Sequence, residues 1–366
     1  MIYTENDFRT KAIDFEAENK VVHYQAPSNI ALVKYWGKKA GQIPANPSVS
    51  FTLSTSKTIT SVAITKSKYQ QDFSFDFSFD SQPRLDFHPK IEQYLTNIKP
   101  YLSFLASSHL NIDSINTFPH SSGIASSASS MAALSACLME IESQLNDISS
   151  EFKDVKTSFL ARIGSGSACR SVKGSVVLWG QHVDFEGSSD LYGVDVSTGV
   201  DSVFLDYQDT ILLVDVGEKQ VSSSLGHSLM NGHPFAGSRF EQAVRNTSEL
   251  YQCLQTADLE KFIHIVESEA LTLHSMMMTS SPYFILMQPQ TLGIIQQIWE
   301  FRSQTQIPVC FTLDAGANVH LLYPKSYAVK VLDFVDNELS KSCKEGKYLK
   351  DSVGNGASKI ESTNSD

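Results

Sequence analysis

The 366-residue sequence contains no apolar run approaching the roughly 20 residues that a membrane-spanning helix needs. Charged residues also interrupt the first 20 positions, which excludes the continuous apolar core of a secretory signal. We therefore expect no membrane partner and a cytoplasmic location.

Cysteine and positive charge are both scarce. The five cysteines are odd in number and lack Cys-x-x-Cys spacing, which argues against a disulfide framework or a structural zinc site and predicts free thiols. Asp and Glu number 40 against 29 Lys and Arg, so the net charge is −11, and no cluster of five or more basic residues offsets it. This charge makes a nucleic-acid partner unexpected.

Two familiar phosphate-binding signatures are missing, namely the Gly-Lys-Ser/Thr ending of the Walker loop and the Gly-x-Gly-x-x-Gly spacing of dinucleotide folds. The stretch from Phe118 to Leu138 nevertheless places a Ser- and Gly-rich turn directly before an uncharged helix with apolar residues at helical spacing. Free amides at such a helix start favour an anion, and Gly123 permits close approach of the backbone. This pattern predicts a phosphate cradle, although a Ser-rich N-cap before a core helix is the alternative.

Strands and helices alternate in both halves, which predicts an α+β protein of two interdigitated lobes with a cleft between them. We expect lobes at 1–200 and 201–352, followed by a loose polar tail at 353–366. The predicted strands are Val21–Tyr24, Val49–Leu53, Ile59–Thr65, Phe73–Phe79, Ile112–Phe118, Ser175–Trp179, a strand pair within Val203–Val216, Val309–Leu313 and Val319–Tyr323. The predicted helices are Ile91–Leu105, Ser126–Met139, Phe152–Ile163, Phe240–Met278 and Pro289–Arg302.

Besides the cradle, three segments carry unusual chemistry: Asn29–Lys38, Gly164–Ser171 and Thr312–Asn318. In this order, and with Pro44–Leu53 after the first, they resemble the diphosphomevalonate decarboxylases, a family of the GHMP kinase superfamily. The Lys-Tyr-Trp-Gly-Lys and Gly-Ser-Gly-Ser-Ala-Cys-Arg-Ser strings are specific to that family, whereas the cradle is shared with the superfamily's kinases. The resemblance spans about Ala26 to Tyr323.

The resemblance implies a two-lobed GHMP kinase-like fold, with an N-terminal lobe like ribosomal protein S5 domain 2 and a ferredoxin-like C-terminal lobe. It also implies a homodimer that decarboxylates (R)-5-diphosphomevalonate to isopentenyl diphosphate, with ATP and Mg²⁺, in the mevalonate pathway. A decarboxylase of the 5-monophosphate, a kinase that only phosphorylates the mevalonate 3-hydroxyl and a silent ligand sensor remain alternatives. The presence of both Lys34 and Asp314 argues against the last two.

Three residues are the predicted catalytic groups. Asp314 matches the aspartate that orients or deprotonates the tertiary hydroxyl, although an Asx-turn is its alternative role. Lys34 lies in an apolar run and needs an acidic partner or an anionic ligand, and the resemblance implies that Asp314 is this partner. A snorkelling edge lysine is the alternative. Arg170 has a planar fork suited to the substrate carboxylate, unless it is a surface arginine on a turn.

The resemblance also implies the binding residues. Those for the substrate are Asn29, Tyr35, Trp36, Gly37, Lys38, Ser165, Gly166, Ser167, Ala168, Cys169 and Ser224. Those for ATP are Asn116, Gly123, Ala125, Ser126, Ser127 and Ser129, with Ser127 also near Mg²⁺. A further basic residue against the diphosphate has three candidates, Arg84, Lys90 and Lys99. The departures from the family pattern, such as Asp-Ala-Gly-Ala-Asn at 314–318, leave Lys34, Arg170 and Asp314 in place.

Overall fold

The computed structural model describes residues 2–10, 20–67, 72–119, 124–217 and 223–361. Its strands are β1 (Lys20–Val33), β2 (Ser48–Lys66), β3 (Ser74–Phe79), β4 (Gln82–Pro83), β5 (Ser108–Asn116), β6 (Val176–Trp179), β7 (Val194–Asp195), β8 (Gln208–Leu212), β9 (Cys310–Thr312), β10 (Val319–Tyr323), β11 (Tyr348–Ser352) and β12 (Ser358–Lys359). Its α-helices are α1 (His88–Ile98), α2 (Ser126–Leu145), α3 (Ser150–Gly164), α4 (Ser202–Leu205), α5 (Ser223–Ser228), α6 (Ala236–Thr256), α7 (Leu259–Met278), α8 (Pro289–Thr305) and α9 (Ala328–Asn337).

The N-terminal sheet has the strand order β12-β1-β2-β5-β3-β4, and β6 and β7 extend it beside β2. β2 is continuous, whereas the sequence predicted two strands, 49–53 and 59–65. The polar run between them stays extended because the carboxylate of Asp351 in β11 accepts the backbone N–H groups of Ser54, Thr55 and Ser56. The alternating phenylalanines of β3 form the predicted half-buried strand.

Helices α1, α2 and α3 cover one face of this sheet. α2 begins at Ser126 as predicted, and its uncharged residues are buried because it packs against both β1 and α3. α1 ends at Ile98, before the predicted Leu105, because Pro100 cannot continue the hydrogen bonding of an α-helix and a 3-10 turn follows. No helix in the described part of the chain has both the length and the hydropathy to cross a bilayer.

The C-terminal lobe is a second sheet, in the order β11-β8-β10-β9, covered by α6, α7, α8 and α9. The predicted strand pair within Val203–Val216 is wrong. The Asp201 side chain accepts the Val203 N–H at 2.9 Å and caps the short helix α4, so a single strand, β8, follows.

The polar segment after Val353 is attached to the N-terminal sheet, where the sequence predicted a loose tail. Ser358 and Lys359 pair with Gln25 and Tyr24 of β1, and the Ala357 N–H donates to the Val172 carbonyl at 2.9 Å. Lys359 also contacts the buried Glu140 carboxylate at 2.5 Å. Backbone pairing, this ion pair and the packing of Ala357 against the N-terminal core therefore fix the segment. Residues 362–366 of the predicted tail lie outside the described residues.

Candidate active site

A cavity of about 560 Å³ lies where the four predicted segments meet. Its walls include Lys34 and the turn after β1, the start of α2, the 3-10 segment Gly166–Ser171 and the turn after β9. Lys34, Arg170 and Asp314 all line it. The structure thus brings together residues that are up to 280 positions apart in the chain.

The ammonium of Lys34 and the carboxylate of Asp314 form an ion pair in this cavity. Their Nζ and Oδ1 atoms are 3.3 Å apart, and the side chain of Lys34 is 2 % exposed against 31 % for Asp314. Lys34 Nζ also donates to the Ala31 carbonyl at 2.5 Å. Burial lowers the pKa of Lys34, and the attraction of Asp314 opposes that shift. The carboxylate is therefore the exposed member of the pair and faces any molecule in the cavity.

The backbone of Lys34 is held by a second, fully buried ion pair from the C-terminal lobe. Glu269 accepts the Lys34 N–H at 2.8 Å, and Arg239 donates to the Lys34 carbonyl at 3.1 Å. Arg239 and Glu269 bind each other through two hydrogen bonds of 2.8 and 2.5 Å, and both side chains are 0 % exposed. Helices α6 and α7 thereby fix the position from which the Lys34 side chain starts.

Asp314 follows β9 and is held by its backbone from α7. His274 donates from Nε2 to the Asp314 carbonyl at 3.1 Å, because a carbonyl oxygen can only accept. Burial lowers the pKa of His274 to about 4, so the ring is neutral at pH 7. A neutral histidine adds no charge to the lysines, the arginine and the aspartate that line the cavity.

Arg170 is a buried cation for which the described residues provide no carboxylate partner. Its guanidinium donates to Ser48 Oγ at 2.6 Å and to Asn29 Oδ1 at 3.2 and 3.3 Å, and it lies 5.8 Å from the centre of the Trp179 ring. Burial lowers its pKa, although arginine stays protonated. An unpaired buried charge is costly, so this guanidinium favours an anion in the cavity.

The turn after β1 and the start of α2 supply further polar groups to the walls. The hydroxyl of Tyr35 is buried without a hydrogen-bond partner among the described residues, and Lys38 Nζ contacts Gln42 at 3.1 Å. The hydroxyls of Ser127 and Ser165, which also line the cavity, are 3.4 Å apart. Several hydrogen-bonding groups therefore face the cavity.

An apolar pocket of about 130 Å³ lies next to the start of α2. Aromatic side chains of Phe77, Phe79 and Phe87 line it together with Asn116, whose Nδ2 is buried without a partner in the described part of the chain. Ser126 and Ser127 border this pocket, and Ser127 also borders the larger cavity. The two spaces therefore meet at the N-terminus of α2.

Comparison with known proteins gives the same family for both halves. Residues 26–190 match a diphosphomevalonate decarboxylase-like N-terminal domain, and residues 210–365 match a mevalonate 5-diphosphate decarboxylase C-terminal domain. The chain belongs to the diphosphomevalonate decarboxylase family.

Relatives in this family resemble the chain along most of its length. The diphosphomevalonate decarboxylase of Candida albicans is 27% identical over 329 residues, which cover 85% of this chain and 86% of the relative. The mevalonate diphosphate decarboxylase structure from Staphylococcus aureus has a TM-score of 0.80 at 27% identity and covers 94% of this chain and 99% of its own. A structure described as MDDEF in complex with MVAPP, AMPPCP and magnesium has a TM-score of 0.79 at 27% identity, with 93% and 99% covered. The predicted two-lobed GHMP kinase-like fold is thereby confirmed.

Most residues predicted from the family resemblance line the two spaces. Those in the larger cavity are Lys34, Tyr35, Trp36, Lys38, Ala125, Ser127, Ser165, Gly166, Ser167, Arg170 and Asp314. Asn116, Ser126 and Ser127 border the apolar pocket. Of the three candidate cations, Lys90 lines both spaces, whereas Arg84 pairs with Asp86 at 2.7 Å and Lys99 with Asp72 at 3.1 Å.

Several predicted residues do not reach the cavity. Ser129 turns toward the sheet, where its hydroxyl lies 2.6 Å from Thr58 Oγ1. Ala168 and Cys169 are in the core, with 0 and 1 % exposure. Asn29 acts through Arg170, and Gly37 shapes the turn with a φ of +99°. Gly123 and the side chain of Ser224 lie outside what the structure describes.

Proposed function

We propose that this protein catalyses the ATP-dependent decarboxylation of (R)-5-diphosphomevalonate to isopentenyl diphosphate, ADP, phosphate and carbon dioxide in the mevalonate pathway. The observation that carries this proposal is the Lys34–Asp314 pair in one cavity with Arg170, a buried cation that forms no ion pair with any described carboxylate. A kinase needs only the acid and the nucleotide, whereas a decarboxylase must also hold a carboxylate. Curated relatives named diphosphomevalonate decarboxylase support the assignment.

Asp314 is the proposed proton acceptor for the tertiary hydroxyl of the substrate. The ammonium of Lys34 at 3.3 Å favours the ionised carboxylate, which is the form that orients or deprotonates a hydroxyl. ATP supplies the phosphoryl group that turns this hydroxyl into a leaving group. The network of Glu269 and Arg239 keeps Lys34 in place while the proton moves.

Arg170 is the proposed ligand of the substrate carboxylate. The phosphate leaves the tertiary carbon with its bonding electrons. The bond that joins the carboxylate to the adjacent methylene carbon then breaks, its electron pair forms the new double bond, and the carboxylate leaves as carbon dioxide. A bidentate guanidinium places the carboxylate for this step. Ser48 and Asn29 fix the guanidinium before the substrate arrives, so its orientation need not be gained on binding.

The nucleotide fits the start of α2 and the apolar pocket beside it. Free backbone N–H groups at a helix N-terminus favour phosphate. Asn116 Nδ2, for which the described residues provide no acceptor, can donate to a ring nitrogen of a base held among the phenylalanines. Magnesium would be held largely by phosphate oxygens and water, and the Ser127 hydroxyl could serve as a further ligand. The ion would neutralise phosphate charge. Gly123, Ala125 and Ser126 keep their proposed places around the phosphates.

The phosphorylated end of the substrate is assigned to Tyr35, Trp36, Lys38 and the segment 165–167, and Ser224 keeps its proposed role at this end. We also propose a homodimer in the cytoplasm and a lobe boundary near residue 200. The two family matches end at 190 and begin again at 210, which supports that boundary.

One coupled assay tests the function. The protein is incubated with Mg²⁺, ATP and, in turn, diphosphomevalonate, its 5-monophosphate analogue and mevalonate, while ADP and carbon dioxide are followed together. We expect equal release of both products with diphosphomevalonate and much slower release with the other two. ADP without carbon dioxide would indicate a 3-kinase, preference for the monophosphate would change the substrate, and release of neither product would refute an enzymatic role.

A further inference from the structure

His227 joins α5 to the turn that follows β1. Its Nδ1 lies 3.0 Å from the Gly37 nitrogen, and its ring centre lies 4.2 Å from that of Tyr35 and 4.8 Å from that of Trp36. Gly226 brings α5 close, since a Cβ there would lie 2.5 Å from the Trp36 ring. The imidazole is therefore packed against three consecutive residues of the proposed substrate-binding turn.

The hydrogen bond from Gly37 determines which ring nitrogen of His227 carries the proton. A backbone N–H can only donate, so Nδ1 must carry a lone pair. Burial, together with the positive charges of Lys38 and Arg170, lowers the pKa of His227 to about 3 and keeps the ring neutral. A neutral ring with an unprotonated Nδ1 carries its proton on Nε2, which makes Nε2 a donor.

This donor belongs to the cavity wall. His227 is 8 % exposed and lines the cavity with Lys38 and Arg170. Within the described ranges, no protein group accepts a hydrogen bond from Nε2, whereas Nδ1 accepts one from the Gly37 N–H. Because the described residues offer this donor no acceptor, it is available to an acceptor on a molecule bound in the cavity.

We infer that His227 is a substrate-binding residue whose Nε2–H donates to a phosphoryl oxygen of the substrate, and that the Gly37 N–H at Nδ1 sets the tautomer of the ring. This inference rests on the proposed function, because it needs a phosphorylated substrate in the cavity. A phosphoryl oxygen is favoured over the substrate carboxylate because Lys38, on the turn that His227 contacts, supplies a second cationic contact, whereas the carboxylate has Arg170.

Two substitutions separate the roles of the two nitrogens. His227→Asn can keep an acceptor for the Gly37 N–H near the Nδ1 position but has no donor where Nε2 was. His227→Gln can place an amide N–H near the Nε2 position but loses the acceptor for Gly37. Binding of diphosphomevalonate and, separately, of ATP with Mg²⁺ is measured by titration calorimetry, and thermal melting confirms that each variant is folded.

We expect His227→Asn to weaken diphosphomevalonate binding about ten- to hundredfold, the range for losing a hydrogen bond to a charged group, and to leave ATP binding within about twofold. His227→Gln should bind diphosphomevalonate within about threefold of the native protein. Native affinity in His227→Asn, or a tenfold loss in a folded His227→Gln, would overturn the inference; if His227→Asn does not fold, His227→Gln alone decides.

The turnover assay tests the proposed function and the binding measurements test the role of His227, so the two proposals can be refuted independently. A native protein that binds diphosphomevalonate but releases no carbon dioxide would refute the proposed function, while the two variants would still decide the role of His227. A native protein that turns over diphosphomevalonate, with His227→Asn binding it equally well, would refute the inference alone. Failure of the native protein to bind diphosphomevalonate would overturn both.

Discussion

Replacing Arg239 with methionine tests how Lys34 is held in the cavity. The substitution leaves the Glu269 carboxylate fully buried without its cation, which costs about 3–5 kcal/mol when one member of a buried pair is removed. It also removes the donor at 3.1 Å from the Lys34 carbonyl, which adds about 1 kcal/mol. Because the backbone of Lys34 loses part of its support, kcat should fall together with stability.

The assay is urea unfolding followed by circular dichroism, combined with the rate of carbon dioxide release. Adding Glu269→Gln to Arg239→Met should recover about 2 kcal/mol, because glutamine still accepts from the Lys34 N–H but leaves no buried charge. Arg302→Met is the matched control, since it breaks another two-bond pair to α7 whose arginine is 25 % exposed. We expect a smaller loss of stability and native kcat for this control. A loss under about 1 kcal/mol in Arg239→Met, or a double variant less stable than Arg239→Met alone, would refute the reasoning.

Three further predictions concern the pH dependence of stability, backbone strain at Gly37 and the guanidinium of Arg170. The free energy of unfolding should fall as pH drops from about 6 to 5, because His274 is protonated in the unfolded state but not in the folded state, where its pKa is about 4. His274→Gln should reduce the slope of the unfolding free energy against pH by about 1.4 kcal/mol per pH unit. An unchanged slope would contradict this prediction. Gly37→Ala should lower the free energy of unfolding in urea by about 2 kcal/mol, because its φ is +99° and the new Cβ would lie 3.0 Å from a phenylalanine ring. Gly41→Ala, where φ is +66° and no atom of the described residues lies near the new Cβ, should cost about half as much. Equal losses in the two variants would contradict a contribution from the contact with the phenylalanine. Arg170→Gln should lower kcat/KM at least about a hundredfold without lowering the melting temperature, because it removes a buried cation that forms no ion pair within the described part of the chain. A lower melting temperature would show that this arginine stabilises the fold.

Local patterns predicted the start of α2, the half-buried strand of phenylalanines and the acid that faces Lys34. Each depends on short-range periodicity or on a family motif that carries its own residue types. The orientation of Ser129 toward the sheet could also have been predicted. Ser129 shares a helix face with three alanines that are buried, Ala132, Ala133 and Ala136, which follow it by three, four and seven residues. A serine in the predicted cradle is therefore not by itself a ligand of phosphate.

Residues that act across the two lobes could not be predicted in this way. Glu269 is 235 positions from Lys34 and Arg239 is 205, so no local pattern connects them to it. A signal existed for Glu269, which is a carboxylate in a largely apolar helix and so needs a partner, but the sequence does not identify that partner. His227 gave no signal at all, since its role comes from the neutral ring packed against the turn at Tyr35 to Lys38.

The most direct test of the central claim is the rate of carbon dioxide release by Asp314→Asn at saturating diphosphomevalonate, ATP and Mg²⁺. Asparagine keeps the size of the side chain but cannot take the proton of the tertiary hydroxyl. We predict a rate about 10²- to 10⁴-fold below native with diphosphomevalonate affinity within about threefold of native. A near-native rate would contradict the assignment of Asp314 and the reaction built on its pairing with Lys34.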